Sequence, residues 1–191
     1  MQQGKEPVSE GMREAVRILE AMLSAAPAEI EGLADRIADA LRRGGRVFLF
    51  GNGGSAADAQ HIACELVGRL RGDRPALSAT AFSTDTSVLT ALGNDRGFEQ
   101  IFSRQVEAHV REGDVVIGLS TSGRSPNVLE GLETARRVGA LTVAFTGQDD
   151  SPITEAASVS IRIPSSDTPR IQEAHILVGH LLCDAIERRL V

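Results

Sequence analysis

His61 and Glu65 stand four residues apart in "GNGGSAADAQHIACE" (51–65), just after a glycine-rich turn. On a helix this spacing puts both side chains on one face, with Cβ atoms about 5–6 Å apart. An imidazole and a carboxylate so placed either hold a divalent ion or form a surface polar pair, and Arg69 continues the stripe. A metal needs further donors, since zinc takes about four. The candidates lie in "PRIQEAHILVGHLLCDAIERRL" (169–190), which carries Gln172, Glu173, His175 and His180. His180 sits among Val178, Leu181 and Leu182 and becomes a ligand only if this segment packs beside that of His61. Spacing leaves its companion open: Glu173 lies seven residues before it on nearly the same face, and Gln172 about 80° around an ideal helix. His175 and His109 have no companion pattern and read as structural or solvated. Cys64 and Cys183 read as small buried apolar side chains rather than soft-metal ligands.

Two loops have the chemistry of a phosphate cradle. Gly51-Asn52-Gly53-Gly54-Ser55 permits close backbone approach, with Ser55 expected to cap the following helix. Ser120-Thr121-Ser122-Gly123-Arg124-Ser125-Pro126 brings four hydroxyls together, and Pro126 follows Ser125 as a first helical residue follows its cap. Hydroxyls and free N–H groups at the positive end of a helix suit a phosphomonoester. No GxxxxGK[ST] occurs, which excludes a P-loop nucleotide hydrolase. Gly51 to Ala56 fits the loose pattern GxGxxG/A, but position 71 is Arg, Asp73 lies in a turn, and the next strand ends only near Asp85. A dinucleotide site wants its acidic residue about 20 positions on, at the end of the next strand, so that fold is disfavoured.

Parallel strands and helices must position these loops. "RVFLFG" (46–51), "ALSATAF" (76–82), "DVVIGLS" (114–120), "LTVAFTG" (141–147) and "SVSIRIP" (158–164) read as short apolar strands. Helical segments at 56–71, 98–111, 126–138 and 170–189 separate most of them, an α/β alternation that gives a parallel sheet covered on both faces. Before it come two amphipathic helices, marked by Met12, Val16, Leu19 and Leu23 and by Ile30, Leu33, Ile37 and Leu41. Their stripes must pack on the sheet or on a second subunit. With no linker in view, the chain reads as one domain, 1–191: a helical pair (1–44) for oligomerisation and an α/β core (45–191).

Composition narrows the function further. Net charge is −6 with scattered Lys and Arg, Trp and Tyr are absent, and Phe totals 6, so neither a nucleic-acid footprint nor base-stacking platforms are present. No apolar run suits a membrane span or a signal peptide. Two cysteines outside any CxxC pattern point to reduced thiols in a cytoplasmic protein.

Four motifs together, "GNGGSAADAQH…E", "STSGRSPN", "GNDRGF" (93–98) and "RIQEAHILVGH" (170–180), resemble those of the phosphoheptose isomerases, members of the sugar-isomerase (SIS) fold. The similarity runs nearly end to end. It implies a five-stranded parallel sheet between helices in a three-layer sandwich, and a homotetramer with active sites at subunit interfaces. It further implies conversion of sedoheptulose 7-phosphate to a manno-heptose 7-phosphate, the first step toward ADP-heptoses. Carried onto this chain, the family's metal ligands fall on His61, Glu65, Gln172 and His180, with zinc as the usual ion. Substrate contacts fall on Asn52, Gly53, Gly54, Ser55, Glu65, Asn94, Asp95, Ser120, Thr121, Ser122, Ser125 and Gln172. Pro169 stands where some members carry an aspartate, so no role is carried over for that carboxylate, although Asp167 is close by.

Aldose–ketose isomerisation moves a proton between adjacent carbons while carbonyl and hydroxyl exchange places. It needs a base at carbon, a shuttle between the oxygens and stabilisation of an enediolate. Glu65 is assigned as the base and His180 as the shuttle, with a divalent ion to polarise the carbonyl. Two other functions are weighed. Some relatives of this fold are non-catalytic and bind a replication-initiator partner, but such a scaffold has no reason to assemble His61, Glu65 and His180. An isomerase for another sugar phosphate would differ in pocket depth.

Overall fold

The computed structural model describes residues 6–190; the outermost parts of the expected 1–191 domain, residues 1–5 and 191, lie outside the described residues. The helices are α1 (Glu6–Met22), α2 (Ala26–Arg42), α3 (Gly54–Val67), α4 (Thr86–Arg96), α5 (Ser103–His109), α6 (Pro126–Val138), α7 (Pro152–Ala156) and α8 (Thr168–Leu190). The strands are β1 (Val47–Gly51), β2 (Ala79–Ala81), β3 (Val115–Ser120), β4 (Leu141–Thr146) and β5 (Val159–Arg162). All pair in parallel, in the order β2-β1-β3-β4-β5. The expected five-stranded α/β sandwich is therefore what the chain forms.

Alternation along β1 divides the core into two halves. Val47 and Leu49 join Leu33 and Ile37 of α2, Ile62 and Leu66 of α3, and Val178 and Leu182 of α8 on one face. Phe48 and Phe50 join Phe102 and Val106 near and on α5, Leu132 of α6 and Ile153 of α7 on the other. Phe50 stacks on Phe102 at 4.8 Å between ring centroids. The sheet is thus sandwiched as an all-parallel sheet must be, because its central strands β1, β3 and β4 are buried on both sides.

The leading helices split the two fates open to them. α2 buries Ile30, Leu33 and Ile37 in the core. α1 contributes Ile18 and Met22, while Met12, Val16, Leu19 and Leu23 of the expected stripe stay exposed.

Several boundaries differ from the sequence reading. β2 is confined to three residues at the sheet edge. The helix expected at 98–111 is a 3-10 turn at Phe98–Gln100 followed by α5. α4 has no buried residue and hence no apolar stripe to announce it; Asp85 caps it by accepting the N–H of Val88. α7 is a five-residue helix closed by a capping box at Ser151. α3 ends at Val67, which leaves Arg69 beyond the helix and off the expected stripe. Cys183 is buried as expected but Cys64 is exposed, because α3 turns Ile62, Ala63 and Leu66 inward instead.

Candidate active site and metal centre

The strand order reverses direction around β1: the chain goes out to β2 on one side and returns to β3 on the other. Ligands of open parallel sheets bind at such a point, beyond the carboxyl ends of the strands. Both candidate loops are there. Gly51 pairs with Leu119 in the β1–β3 register, so the turn 51–55 and the turn 120–125 leave the sheet side by side. Their side chains are joined as well. Asn52 donates to Asn127 Oδ1 and Asn127 donates back to Asn52 Oδ1, each at 2.9 Å.

The caps differ from expectation in an informative way. Gly53, not Ser55, is the N-cap of α3, and no side chain caps it; Ser55 is buried inside the first turn. Ser125 is the N-cap of α6, yet its side chain makes no capping bond. Its hydroxyl lies 3.0 Å from that of Ser120 instead. Ser122 Oγ accepts the N–H of Arg124 at 3.2 Å, and Gly123 N–H donates to the carbonyl of Ser120, closing the turn. Thr121 holds the loop to the next strand end, its carbonyl accepting the N–H of Gly147. In the first turn of α6 Pro126 has no N–H, Val128 gives its own to Asn127 Oδ1 and Leu129 to the carbonyl of Ser125, which leaves the N–H of Asn127 at the positive end of the helix dipole.

The metal-type donors converge across two helices that run parallel. Gln172 of α8 lies against Gly54 of α3, where a Cβ would come within 2.6 Å of the glutamine amide. Eight residues further along α8, His180 Nε2 is 2.9 Å from His61 Nε2. Between them, a Cβ on Gly179 would sit 2.6 Å from Ile62 Cγ1 and Cδ1, so only glycine lets α8 approach α3 this closely. Glu65 Oε1 is 3.3 Å from His61 Nε2, and the ligand atoms of His61, Glu65 and His180 all lie within 4.8 Å of one another. Donors on a tetrahedral zinc, at bonds of about 2.0–2.1 Å, are themselves about 3.3 Å apart. Two imidazoles and a carboxylate at this separation fit such an ion, and the expected packing of the last helix on the 61–65 helix is met.

The structure brings Asn52, Gly53, Gly54, Ser55 and Gln172 to one end of α3 and His61, Glu65 and His180 to its middle. Asn94 and Asp95 stand exposed on α4, where Asn94 donates to Asp95; among the described residues, side-chain hydrogen bonds do not connect them to that group. Glu173 is exposed and paired with Arg170, outside the cluster. His175 is fully buried with Nε2 3.2 Å from the carbonyl of Thr146, a core residue, and burial pushes its imidazole down to about 4. His109 ends α5 beside the ring of Phe82.

Sequence reading passed over three residues. Asp58, one turn before His61, has a buried Oδ2 without a hydrogen-bond partner. Burial raises its carboxyl to about 6 against the opposing influence of His61. Asn127 and Gly179 lie within the motifs without a role of their own; Gly179 carries a signal, since a glycine inside an otherwise apolar helix marks close approach.

Comparison with known proteins agrees with this geometry. A family model described as SIS domain matches residues 12–147. A phosphoheptose isomerase from Geobacter sp. (strain M21) is 50% identical over 185 residues, covering 97% of this chain and 96% of that protein. One from Aquifex aeolicus is 52% identical over 182 residues, covering 95% of each. The solved phosphoheptose isomerase of Neisseria gonorrhoeae superposes with a TM-score of 0.90 at 39% identity, covering 96% of this chain and 98% of that one. That of Francisella tularensis gives 0.94 at 32% identity, covering 98% and 100%. Similarity of this extent, on a fold and a donor cluster already in hand, makes the chain a member of the phosphoheptose isomerase family of SIS-domain proteins.

Proposed function

We propose that this chain is an aldose–ketose isomerase that converts sedoheptulose 7-phosphate to D-glycero-D-manno-heptose 7-phosphate, the first step of ADP-heptose biosynthesis. The observation that carries the mechanism is the gathering of His61, Glu65 and His180 from α3 and α8 beside the two loops at the strand ends.

The hydroxyls of Ser120, Thr121, Ser122 and Ser125, with the N–H of Asn127 at the opening of α6, hold the phosphate. Asn52 to Ser55 line the path between, with Asn94 and Asp95 as further contacts. Binding energy at the phosphate positions the reacting end, seven residues or about 10 Å along α3 from Gly54. Glu65 takes the proton from carbon and returns it to the neighbouring carbon. His180 carries a proton between the two oxygens, so that carbonyl and hydroxyl exchange. Each role is typically worth about 10²–10⁴ in rate. His61, Glu65, His180 and Gln172 are proposed to hold zinc; when bound it supplies Lewis-acid stabilisation of the charge developing on the substrate oxygens.

The protein acts as a homo-oligomer, in the family's tetrameric form, in the cytoplasm. The exposed Val8, Met12 and Val16 of α1, Leu23 just beyond it and Leu181 of α8 support the first statement, and two free thiols support the second. Among the described residues no helix is long and apolar enough to cross a membrane. Within 1–44, α1 is assigned to assembly while α2 also belongs to the core, and 45–191 is assigned to sugar-phosphate chemistry.

Incubating the protein with sedoheptulose 7-phosphate in deuterated water and following aldose product and deuterium at carbon tests this reading. Glu65→Gln is expected to abolish exchange even where metal is retained, His61→Gln to lower metal content and activity together, and His180→Gln to impair both. Near-normal exchange in Glu65→Gln removes Glu65 as the base.

A further inference from the structure

We infer that the buried ion pair of Arg74 and Glu187 is a positioning device for the active-site cluster, holding the C-terminal end of α3 to α8 and so setting where Glu65 stands relative to His180. Arg74 lies in the segment after α3, and its guanidinium reaches back onto the helix end. Nη2 donates to the carbonyl of Glu65 at 2.8 Å and Nη1 to that of Leu66 at 2.9 Å. The same group meets Glu187 of α8 at 3.1 Å, with side chains only 3% and 6% exposed. The Glu187 carboxylate also accepts the backbone N–H groups of Leu70, Arg71 and Gly72. One arm of the clamp thus grips the backbone of Glu65 itself. The other is anchored seven residues beyond His180, on nearly the same face of α8.

A helix end needs partners for its last carbonyls, but water or a glycine turn supplies them cheaply. Burying two opposite charges for that purpose alone is costly, because desolvation cancels most of their attraction. What the pair does that a neutral cap cannot is tie the ends of two helices, through residues 113 positions apart, to one electrostatic knot. It adds a third fastening to Gln172 on Gly54 and Gly179 on Ile62. The cluster lies between the second and third.

The inference rests on His61, Glu65 and His180 being the reacting group. Its test uses Arg74→Lys, Glu187→Gln and the neutral double variant Arg74→Met/Glu187→Gln, with Leu33→Ala in α2 as a control for lost stability. Cobalt(II) titration followed by visible absorption reads metal affinity and coordination, and kcat and KM for sedoheptulose 7-phosphate are measured alongside. The clamp variants are expected to bind cobalt about tenfold or more weakly, the scale for groups that orient metal ligands. Their kcat falls while KM stays within about twofold, because the 120–125 loop is untouched. Leu33→Ala melts earlier but keeps cobalt affinity and kcat. Folded clamp variants with wild-type cobalt affinity and kcat overturn the inference. If the single variants do not fold, the double variant decides, since it leaves no charge unpaired. Wild-type protein that isomerises without taking up cobalt removes the metal reading alone, and the split of kcat from KM then decides the clamp. Wild-type protein that does neither overturns both.

Discussion

The carboxamides of Asn52 and Asn127 exchange two hydrogen bonds of 2.9 Å across the carboxyl ends of β1 and β3. Asn127 is buried, and its Oδ1 also accepts the N–H of Val128. The pair therefore locks the glycine turn to the first turn of α6. In Asn127→Leu, which keeps the shape, Asn52 loses its partner. KM for the sugar phosphate is expected to rise about tenfold, in line with about 1–3 kcal/mol for an unmet buried polar group, with a smaller change in kcat. Steady-state kinetics on the purified variant checks this.

The hydroxyl loop is free to bind because its serines are not spent on α6. Ser120→Ala/Ser122→Ala should keep the fold, seen by circular dichroism, and lose affinity for sedoheptulose 7-phosphate by at least tenfold. Calorimetry that finds unchanged binding reduces these serines to turn formers.

Gly179→Ala drives a methyl group into Ile62. Overpacking of this kind costs about 1–3 kcal/mol, and here it also pushes His180 from His61. Melting temperature and affinity for a divalent metal should fall together. Adding Ile62→Ala should restore metal affinity more than it restores stability, because it reopens the gap while leaving the core underfilled.

Met12 and Val16 are 68% and 54% exposed in the single chain. Met12→Asp/Val16→Asp should give monomers in light scattering at micromolar concentration, where the unaltered chain is expected to be a tetramer. A tetramer that survives both charges places the interface elsewhere.

His175 gives stability a pH dependence. Burial lowers its imidazole from 6.5 to about 4, although the Thr146 carbonyl partly opposes this. The folded value lies below the unfolded one, so its contribution is complete above pH 6.5 and is lost as pH falls through 4. Over that window one proton corresponds to a slope of about 1.4 kcal/mol per pH unit. Urea unfolding between pH 7 and 4.5 should show this slope as the difference between wild type and His175→Gln. Parallel curves would mean His175 already charges in the folded state.

Much of this protein is written locally. The apolar runs that become β1, β3 and β4 bury both faces, which is why unbroken hydrophobicity announces them, whereas β5 at the sheet edge is legible from the alternation of Val159 and Ile161 with Ser160 and Arg162. α6 occupies the expected 126–138, since Pro126 opens it and Gly139, at φ 89, closes it. His61 and Glu65 declared themselves by helical spacing, and Gly53 and Ser125 sit where the turns were expected. α4 stays hidden because it packs only Leu89 and Leu92 partly on the core and so carries no strong hydrophobic period, and Ser55 is not the cap because cap position depends on local backbone angles, which residue type alone does not give.

The fold settled the relations between segments. Whether His180 was a core histidine or a partner of His61 depended on Gly179 meeting Ile62, 117 positions earlier. The choice between Gln172 and Glu173 at the glycine turn, the Asn52–Asn127 exchange and the hold of Arg74 on the Glu65 carbonyl through Glu187 are of the same kind. Residue type and spacing constrain what a side chain can do along its own helix or strand. Which distant donor meets it depends on how helices cross the sheet, and that follows from packing of the whole core.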